Sequence, residues 1–278
     1  MTRMEKQEKY LDIINEIDVC FNTIKAIRPL SAEEISYFNE EFSISASHNS
    51  NAIEGNTFTY DETRLLLKEG VTCSGRSFRE HEEILGYKHG FDFLYKFLKE
   101  TEKPSEQFIK KLNAMVLRGN DEAGEYRQIQ NYVGNMFEVR YTPCSPTDVP
   151  IKMQQYVADL YHDMENNADI KSKVDIDWFG LFHNLARHHI EFEKIHPFID
   201  GNGRTGRLLL TYEMLYIGLL PIDIRYEEKS RYYAAFKDYD DKRDYGNNPN
   251  KKTDKMAKLL AECELRSMRA WINTFGKN

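Results

Sequence analysis

The residues best suited to chemistry lie in one short segment, residues 196–207, which reads HPFIDGNGRTGR. Amphipathic patterns on both sides predict helices, so this segment should be a tight loop that leads into the first turn of a helix. Gly201 and Gly203 would let the backbone point several N–H groups toward one spot, and a helix N-terminus adds free N–H groups and the positive end of the dipole. Arg204 and Arg207 are three apart and would share one helix face. The segment therefore predicts a strong anion site, suited to a polyphosphate.

Two further side chains of the segment could act at that site. Asp200 would place a carboxylate beside the anion, which suits a Mg²⁺ ion that bridges carboxylate and phosphate. His196, four residues earlier, could serve as a general base. Gly-Asn-Gly is also an ordinary turn sequence, but two arginines in a first helical turn oppose the dipole and need an anionic partner. That partner could equally be a carboxylate of the protein itself.

Two alternative interpretations of these residues fit less well. Gly201 and Gly206 are spaced like the glycines of a P-loop, but no strand pattern precedes them and Leu208 replaces the Ser or Thr that binds Mg²⁺. Histidines and acids also cluster at residues 183–196. The HExxH motif is missing there, and His188 with Glu191 and His189 with Glu193 fit ordinary pairs on a helix surface. We therefore expect neither a P-loop nor a zinc hydrolase.

Composition narrows the class of protein. The chain has 278 residues, enough for one large domain or two closely packed ones. Its 45 acidic residues outnumber its 38 Lys and Arg, and the net charge of −7 argues against broad binding to nucleic acid. Its 4 cysteines form no CxxC pair, so neither a disulfide framework nor a zinc knuckle is expected. The chain has no signal-peptide core and no run of about 18 apolar residues, which predicts a soluble cytoplasmic protein without membrane contact.

Hydrophobic periodicity predicts a mainly α protein. Helices are predicted at residues 4–27, after capping boxes at Ser31 and Thr59, at 78–99, from Pro104 to near Gly119, and at 148–166, 176–193, 205–218, 229–239 and 252–275. Residues 124–146 are rich in β-formers around Gly134-Asn135, which predicts a short hairpin. Residues 237–255 are polar and predict a surface loop.

The segment 196–207 resembles the signature of the Fic family, H-x-F-x-[D/E]-G-N-G-R-x-x-R, at all eight specified positions. Gly124, Tyr126 and Arg127 resemble the G-x-Y-R element of that family, and the hairpin after them resembles its flap. The resemblance covers roughly residues 105–245. It implies a mainly α fold, a helical bundle of Fic type with a short β-hairpin flap.

The resemblance also implies a division of the chain. The expected parts are an N-terminal helical region at residues 1–100 that carries an inhibitory helix, a Fic catalytic core at 101–245, and a C-terminal helix at 246–278 that packs on the core.

Members of the family transfer AMP from ATP to a hydroxyl side chain of a target protein, so the resemblance implies a protein adenylyltransferase that modifies a target and itself. His196 would deprotonate the incoming Ser, Thr or Tyr hydroxyl, and Asp200 would hold Mg²⁺ between the α- and β-phosphates of ATP. Asn202 and the backbone of Gly201 and Gly203 would hold the α-phosphate as charge builds on it.

Other residues have roles that follow from the resemblance alone. Arg204 would contact the β-phosphate and Arg207 the γ-phosphate, while Phe198 would anchor the loop in the core. The remaining ATP contacts would be Thr205, Gly206, Tyr232 and Tyr233, the two tyrosines near the base. The target segment would dock on the flap by strand pairing, at Val133, Gly134, Asn135 and Met136.

A second motif resembles the inhibitory motif of the family, [S/T]-x-x-x-E-[G/N], at Ser50 and Glu54-Gly55. Residues 43–54 predict a short helix capped by Gly55 in the left-handed conformation. Glu54 would then lie at the negative end of the helix dipole, where a carboxylate costs a few tenths to about 1 kcal/mol unless a cation offsets it. The resemblance implies that this cation is Arg207, so that Glu54 occupies the γ-phosphate position and holds ATP unproductively.

Other functions remain open from the sequence. The chain could be a hydrolase that removes AMP, with Glu54 activating water, a non-catalytic nucleotide-binding module, or a transferase of another phosphate-linked group such as phosphate or phosphocholine. The complete set of catalytic residues and the Arg204–Arg207 pair favour AMP transfer. Expected partners are ATP, Mg²⁺ and a protein target with an acceptor hydroxyl, with a homodimer as a possibility and no directly bound nucleic acid.

Overall fold

Helices make up most of the part of the chain that the structure describes. The structure is a computed structural model, and it describes residues 3–100, 103–135, 138–239 and 253–276. Its α-helices and strands are α1 (Arg3–Ala26), α2 (Ala32–Glu54), α3 (Tyr60–Glu69), α4 (Phe78–Lys99), α5 (Glu106–Val116), β1 (Val133–Asn135), β2 (Glu138–Tyr141), α6 (Val149–Asn167), α7 (Trp178–Ile195), α8 (Asn202–Ile217), α9 (Lys229–Tyr239) and α10 (Asp254–Phe275). The predicted mainly α fold is confirmed. None of the described helices is long and apolar enough to cross a membrane.

Capping boxes fix the starts of three consecutive helices, α2, α3 and α4. In each box the N-cap hydroxyl accepts from the backbone three residues on, and the glutamate there accepts from the N-cap backbone. The three boxes pair Ser31 with Glu34, Thr59 with Glu62 and Ser77 with Glu80. The first two confirm the predicted helix starts, and each box is expected to stabilise its helix by about 1 kcal/mol.

Helix α2 is longer than the sequence pattern suggests. The predicted short helix at residues 43–54 is wrong in its start, because one helix runs without a break over Ala32–Glu54. The hydroxyl of Ser47 donates to the carbonyl of Ser43 at 2.6 Å, inside the helix rather than away from it. Gly55 ends the helix with a φ of 104°, as predicted, and leaves Glu54 in its last turn.

Helix α8 lies between two hydrophobic clusters and joins them. Leu210 and Met214 belong to a cluster with side chains of α1, α7, α9 and α10. Leu208 and Tyr212 belong to a second cluster with side chains of α4, α5, α6 and α7. All four α8 side chains are buried, and each is expected to contribute about 1.5–3 kcal/mol by leaving water. The helix that begins within the segment 196–207 is therefore held between the two clusters.

The C-terminal helix α10 packs against α1, α7 and α9. Most of its buried side chains are in the same cluster as Leu210 and Met214 of α8. The polar segment predicted as a surface loop is only partly described, since its first three residues belong to α9 and residues 240–252 lie outside the described residues.

Strands β1 and β2 form the short antiparallel hairpin that the sequence predicts. Gly134 pairs with Val139 and Asn135 with Glu138, and the register shifts between Val133 and Gly134. Just before the hairpin, the side-chain amide of Asn131 donates to the carbonyls of Phe198 at 3.0 Å and Ile199 at 3.3 Å. These bonds fasten the base of the hairpin to the loop at residues 196–207.

A buried group of charges joins α6, α7 and α8. His188 Nδ1 lies 2.6 Å from Glu213 Oε1, and its Nε2 lies 3.2 Å from Asp163 Oδ2. Burial lowers the pKa of His188, but the attraction of Glu213 and Asp163 outweighs burial and raises that pKa to about 9. Arg187 completes the group with an ion pair to Asp163 at 2.6 Å. The expected surface pair of His188 with Glu191 is therefore wrong, because the ring points inward.

This group should make stability depend on pH in the neutral to alkaline range. The pKa of His188 in the folded protein, about 9, is above the ordinary histidine value of 6.5. The stabilisation is therefore complete below the lower value and lost as pH rises through the higher one, by roughly 3 kcal/mol in total. The free energy of unfolding by urea is measured below pH 6.5 and above pH 9, for wild type and for His188→Gln. The variant should lack this part of the loss, and an equal loss in both proteins would contradict the assignment.

Candidate active site

Asn202 and Phe198 close the loop at residues 196–207 upon itself. The Phe198 N–H donates to Asn202 Oδ1 at 2.9 Å, and the Asn202 amide donates back to the Phe198 carbonyl at 2.8 Å. The Phe198 ring is fully buried and packs against Tyr126 and Phe192. The loop is therefore fixed by the Asn202 side chain and by the core, in keeping with the packing role expected for Phe198.

Helix α8 begins earlier than predicted, at Asn202 rather than at residue 205. Gly201 is its N-cap with a φ of 74°, which a residue with a Cβ atom rarely adopts. Gly203 and Arg204 consequently lie in the first turn, where backbone N–H groups lack partners within the helix. The glycines favour a loop when the sequence is read alone. In the structure they start a helix, because tertiary contacts hold them in place.

Asn113 of α5 holds this helix start from outside, and sequence analysis missed it. Its amide nitrogen lies 3.2 Å from the Asp200 carbonyl and 3.1 Å from the Thr205 hydroxyl, and its oxygen accepts from Gly124 N at 2.9 Å. The side chain is fully buried. The only signal in the sequence is an asparagine on an otherwise apolar helix face, which does not reveal its partners.

His196 ends α7 in the left-handed conformation, with a φ of 51°. Its carbonyl accepts from Arg127 Nε at 2.8 Å, and the Arg127 N–H donates to Pro197 O at 2.9 Å. Nδ1 of His196 lies 3.3 Å from the carbonyl of Glu193, so with the proton on Nδ1 the lone pair is on Nε2. Burial lowers the pKa of His196 to about 4. The ring is thus neutral at physiological pH and able to accept a proton.

Arg204 is a buried cation with open hydrogen-bonding capacity. Its side chain is 4% exposed, and its Nε and Nη1 atoms have no hydrogen-bond partner among the described residues. The nearest carboxylates stand off, with Asp200 Oδ1 at 3.6 Å from Nη2 and Glu83 Oε1 at 3.9 Å from Nη1. A cavity of about 320 Å³ opens beside Arg204 and Asp200. Unpaired donors on a buried charge are costly, so this corner is suited to an anion.

Arg207 has the partner that Arg204 lacks. Its Nη2 lies 2.7 Å from Glu54 Oε1, its Nε donates to the Ser50 hydroxyl at 2.8 Å, and Nη2 also donates to the Ser50 carbonyl at 3.0 Å. Burial lowers the pKa of Arg207, but Glu54 outweighs burial and keeps that pKa above its ordinary value. Glu54 also lies against the first turn of α8, since a Cβ atom at Gly203 would collide with Oε1. The end of α2 thus fills the anion site at Arg207.

The two tyrosines of α9 differ in position. Tyr232 is 1% exposed, and its hydroxyl bonds to His189 Nε2 at 2.8 Å. The Arg207 guanidinium lies 5.9 Å from the centre of its ring. The side chain therefore supports Arg207 from the core, and in this position it has no surface to offer a nucleotide base. Tyr233 is half-buried, and a base contact stays a prediction for it.

The flap residues lie in β1 as far as they are described. Val133, Gly134 and Asn135 form β1, while Met136 lies outside the described residues. Sequence analysis missed Ile129 and Tyr132, whose side chains are strongly exposed just before the strand. Both could contact a peptide that lies along the flap.

Glu193 does not form the expected surface pair with His189. His189 is buried on Tyr232, and burial lowers its pKa to about 3. The Glu193 carboxyl faces α8 instead, because a Cβ atom at Gly206 would collide with Glu193 Oε1. The predicted pair is wrong because α8 covers this face of α7, although its polar residues predict exposure to solvent.

Comparisons with known proteins agree with this geometry. The model of the Fic/DOC family matches residues 103–214. The protein adenylyltransferase fic-1 of Caenorhabditis elegans is 36% identical over 188 residues, which is 66% of this chain and 34% of that protein. The protein adenylyltransferase Fic of Drosophila willistoni is 33% identical over 192 residues, 68% of this chain and 35% of that protein. The chain spans about a third of the length of these relatives.

Solved structures share the fold over nearly the whole chain. A Fic domain containing signaling protein from Bacteroides thetaiotaomicron has a TM-score of 0.77 and 27% identity, covering 94% of this chain and 97% of that one. Fic-1 of Caenorhabditis elegans has a TM-score of 0.75 at 23% identity, covering 97% of this chain and 74% of that one. The fold match thus extends to α1–α4, beyond the residues that the family model matches.

Removing the Glu54 carboxylate should destabilise the protein and open Arg207 to added anions. Glu54→Ala is expected to lower the free energy of unfolding by roughly 1–2 kcal/mol, less than for a fully buried pair because Glu54 is partly exposed. Inorganic triphosphate should then raise the Tm of the variant more than that of wild type, because binding to the folded state stabilises it. Thermal unfolding with and without triphosphate measures both effects.

The matched control is Glu262→Ala, which removes a surface carboxylate 2.6 Å from Arg231. It should respond to triphosphate as wild type does. An equal response of Glu54→Ala and wild type would show that Glu54 does not compete with an anion.

Proposed function

The chain belongs to the Fic/DOC family, and on that premise we propose that it is a protein adenylyltransferase restrained by its own Glu54. It would transfer AMP from ATP to a hydroxyl side chain of a target protein and to itself. The observation that carries the proposal is the contrast between two arginines in the first turns of α8. Arg204 has open donors, while Arg207 is occupied by a carboxylate of the same chain.

The chemistry needs a positioned phosphate more than a reactive side chain. The α-phosphate of ATP would lie at the helix start formed by Gly201, Asn202 and Gly203, whose free N–H groups would stabilise the charge that builds on it. The target hydroxyl would attack the α-phosphorus in line, forming a P–O bond as the bond to pyrophosphate breaks. Holding both groups in line accounts for much of such a rate enhancement.

His196 is suited to take the proton from that hydroxyl. Its ring is neutral because burial lowers its pKa, and Arg127 fixes its backbone through the carbonyl. A neutral imidazole with a lone pair on Nε2 can act as the general base. The imidazole takes up the proton and later releases it to solvent.

Two arginines would bind the remaining phosphates. Arg204 would donate to the β-phosphate through the atoms that now lack partners, and Arg207 would donate to the γ-phosphate. The triphosphate would thus run along α8 from its N-terminus, with its α-phosphate beside His196.

Asp200 fits a Mg²⁺ ion bound together with the phosphates. Its carboxylate is half exposed, and only Oδ1 accepts a short hydrogen bond, from Gly201 N at 2.6 Å. Among the described residues no group of three His, Cys, Asp or Glu could hold a metal. That suits Mg²⁺, which usually binds through one or two carboxylates plus substrate phosphates and water. Bound there, Mg²⁺ would neutralise charge on the α- and β-phosphates.

Glu54 would inhibit by occupying Arg207. A γ-phosphate and the Glu54 carboxylate need the same guanidinium, and two anions there repel each other. ATP bound beside Glu54 would therefore lack its γ-phosphate contact and lie out of line for attack. The target segment would dock on the flap, where Ile129 and Tyr132 offer exposed apolar surface next to β1.

Glu54→Gly should switch on self-modification that wild type shows weakly or not at all. Wild type, Glu54→Gly, and Glu54→Gly with His196→Ala are incubated with Mg²⁺-ATP, and intact mass is measured. An AMP-sized increment is expected on the single variant alone, because only it has both a free Arg207 and a base.

Each other outcome has a distinct meaning. Equal increments on wild type and Glu54→Gly would exclude inhibition by Glu54, and an increment on the double variant would exclude His196 as the base. A phosphate-sized increment would replace AMP transfer by phosphate transfer.

A further inference from the structure

Glu193 of α7 is a buried carboxyl group that the proposed chemistry does not use. Its Oε1 atom is fully buried and has no hydrogen-bond partner in the part of the chain that the structure describes. It packs so closely on Gly206 of α8 that a Cβ atom there would collide with it. Glycine at 206 thus leaves room for the carboxyl one residue before Arg207. A polar atom in this position is costly unless it gains a partner in some state of the protein.

Charged and titratable groups face Glu193 from four helices. Arg207 on α8 attracts its charge and Glu54 at the end of α2 repels it. Tyr156 on α6 and Tyr232 on α9 also lie within electrostatic reach. Burial raises the pKa of each tyrosine well above its ordinary value, and Glu193 is among the acids that raise it further. These tyrosines stay neutral, so the charge on Glu193 depends on Arg207 and Glu54.

With Glu54 in place, Glu193 carries a proton. Burial raises its pKa to about 8, against the attraction of Arg207 and with the repulsion of Glu54. The single positive charge of Arg207 is already balanced by Glu54 at 2.7 Å. An ionised Glu193 would have no ion-pair partner of its own among the described residues, so the neutral acid is favoured.

We propose that Glu193 is a positioning residue for Arg207, a second carboxyl partner that ionises when Glu54 withdraws and takes up a proton when ATP binds. The proposal rests on the proposed function, since it requires a triphosphate at Arg207. Withdrawal of Glu54 removes a repulsion and leaves a buried guanidinium without a counter-charge. Glu193 packs on the residue before Arg207 and is attracted by its charge, so its ionisation would supply that counter-charge.

Binding of ATP would reverse that ionisation. The γ-phosphate brings new negative charge to Arg207, which again disfavours a second anion beside it. Glu193 then takes one proton from solvent, so ATP binding to the released protein is linked to proton uptake. ATP affinity should therefore fall as pH rises through the pKa of Glu193 in the released state, by at most about tenfold per pH unit.

The test measures protons taken up per ATP bound. The parent variant is Glu54→Gly with His196→Ala, which frees Arg207 and prevents turnover. Mg²⁺-ATP is titrated by calorimetry at about pH 8, well above the pKa of phosphate, in two buffers of different ionisation enthalpy. The same titration is run after adding Glu193→Gln, which copies the shape of the protonated acid and cannot ionise.

The matched control adds Glu264→Gln to the parent instead. Glu264 is a second buried carboxyl, and burial raises its pKa to about 8. Its Oε2 has no partner among the described residues. It lies in α10, however, where its Oε1 accepts a hydrogen bond from Leu220 N. It should leave proton uptake unchanged, which separates a role at Arg207 from any loss of a buried acid.

The parent should take up a measurable fraction of one proton per ATP, and the variant with Glu193→Gln should take up less and bind ATP more tightly. Equal uptake and affinity with and without Glu193→Gln would overturn the role of Glu193 while leaving the proposed function standing. A parent that binds no ATP would overturn the proposed function itself, and this inference with it.

Discussion

A buried guanidinium needs a negative partner, and the site is arranged around that need. Arg207 is 6% exposed and lies in the second turn of α8, close to the positive end of the helix dipole. Leaving this buried charge without a counter-charge is costly, which favours a carboxylate or a phosphate beside it. In the structure the end of α2 supplies the carboxylate. In the proposed function, Glu54 and the γ-phosphate of ATP would be two solutions to one electrostatic problem, and they would compete for the same guanidinium.

The remaining structure keeps that guanidinium and the loop before it in place. Helix α8 packs between two hydrophobic clusters, so Arg207 cannot reach solvent by a small movement. Asn113 fastens the helix start, and Arg127 fastens the backbone at His196. The Asn202 amide closes the loop onto Phe198. Each bond joins segments that are distant in sequence or turns the chain tightly, as a preorganised phosphate site requires.

Local signals in the sequence predict much of this architecture. The features that depend on contacts between residues far apart in sequence could not be predicted. The capping boxes at Ser31 and Thr59 and the cap at Gly55 were predictable because their partners lie within a few residues. The start of α8 and the inward rings of His188 and His189 were not, because packing from other helices decides them. Neither were the partners of Asn113, which lie in a loop and helix 87 and 92 residues further along the chain.

In the proposed function, Glu54 occupies the place of a γ-phosphate on Arg207. The most direct measurement compares the affinities of Mg²⁺-ATP and Mg²⁺-ADP for wild type and for Glu54→Gly, by equilibrium titration. ADP lacks the γ-phosphate, so the substitution should raise the affinity for ATP by about tenfold or more and leave that for ADP nearly unchanged. An equal gain for both nucleotides, or no gain for either, would contradict the account.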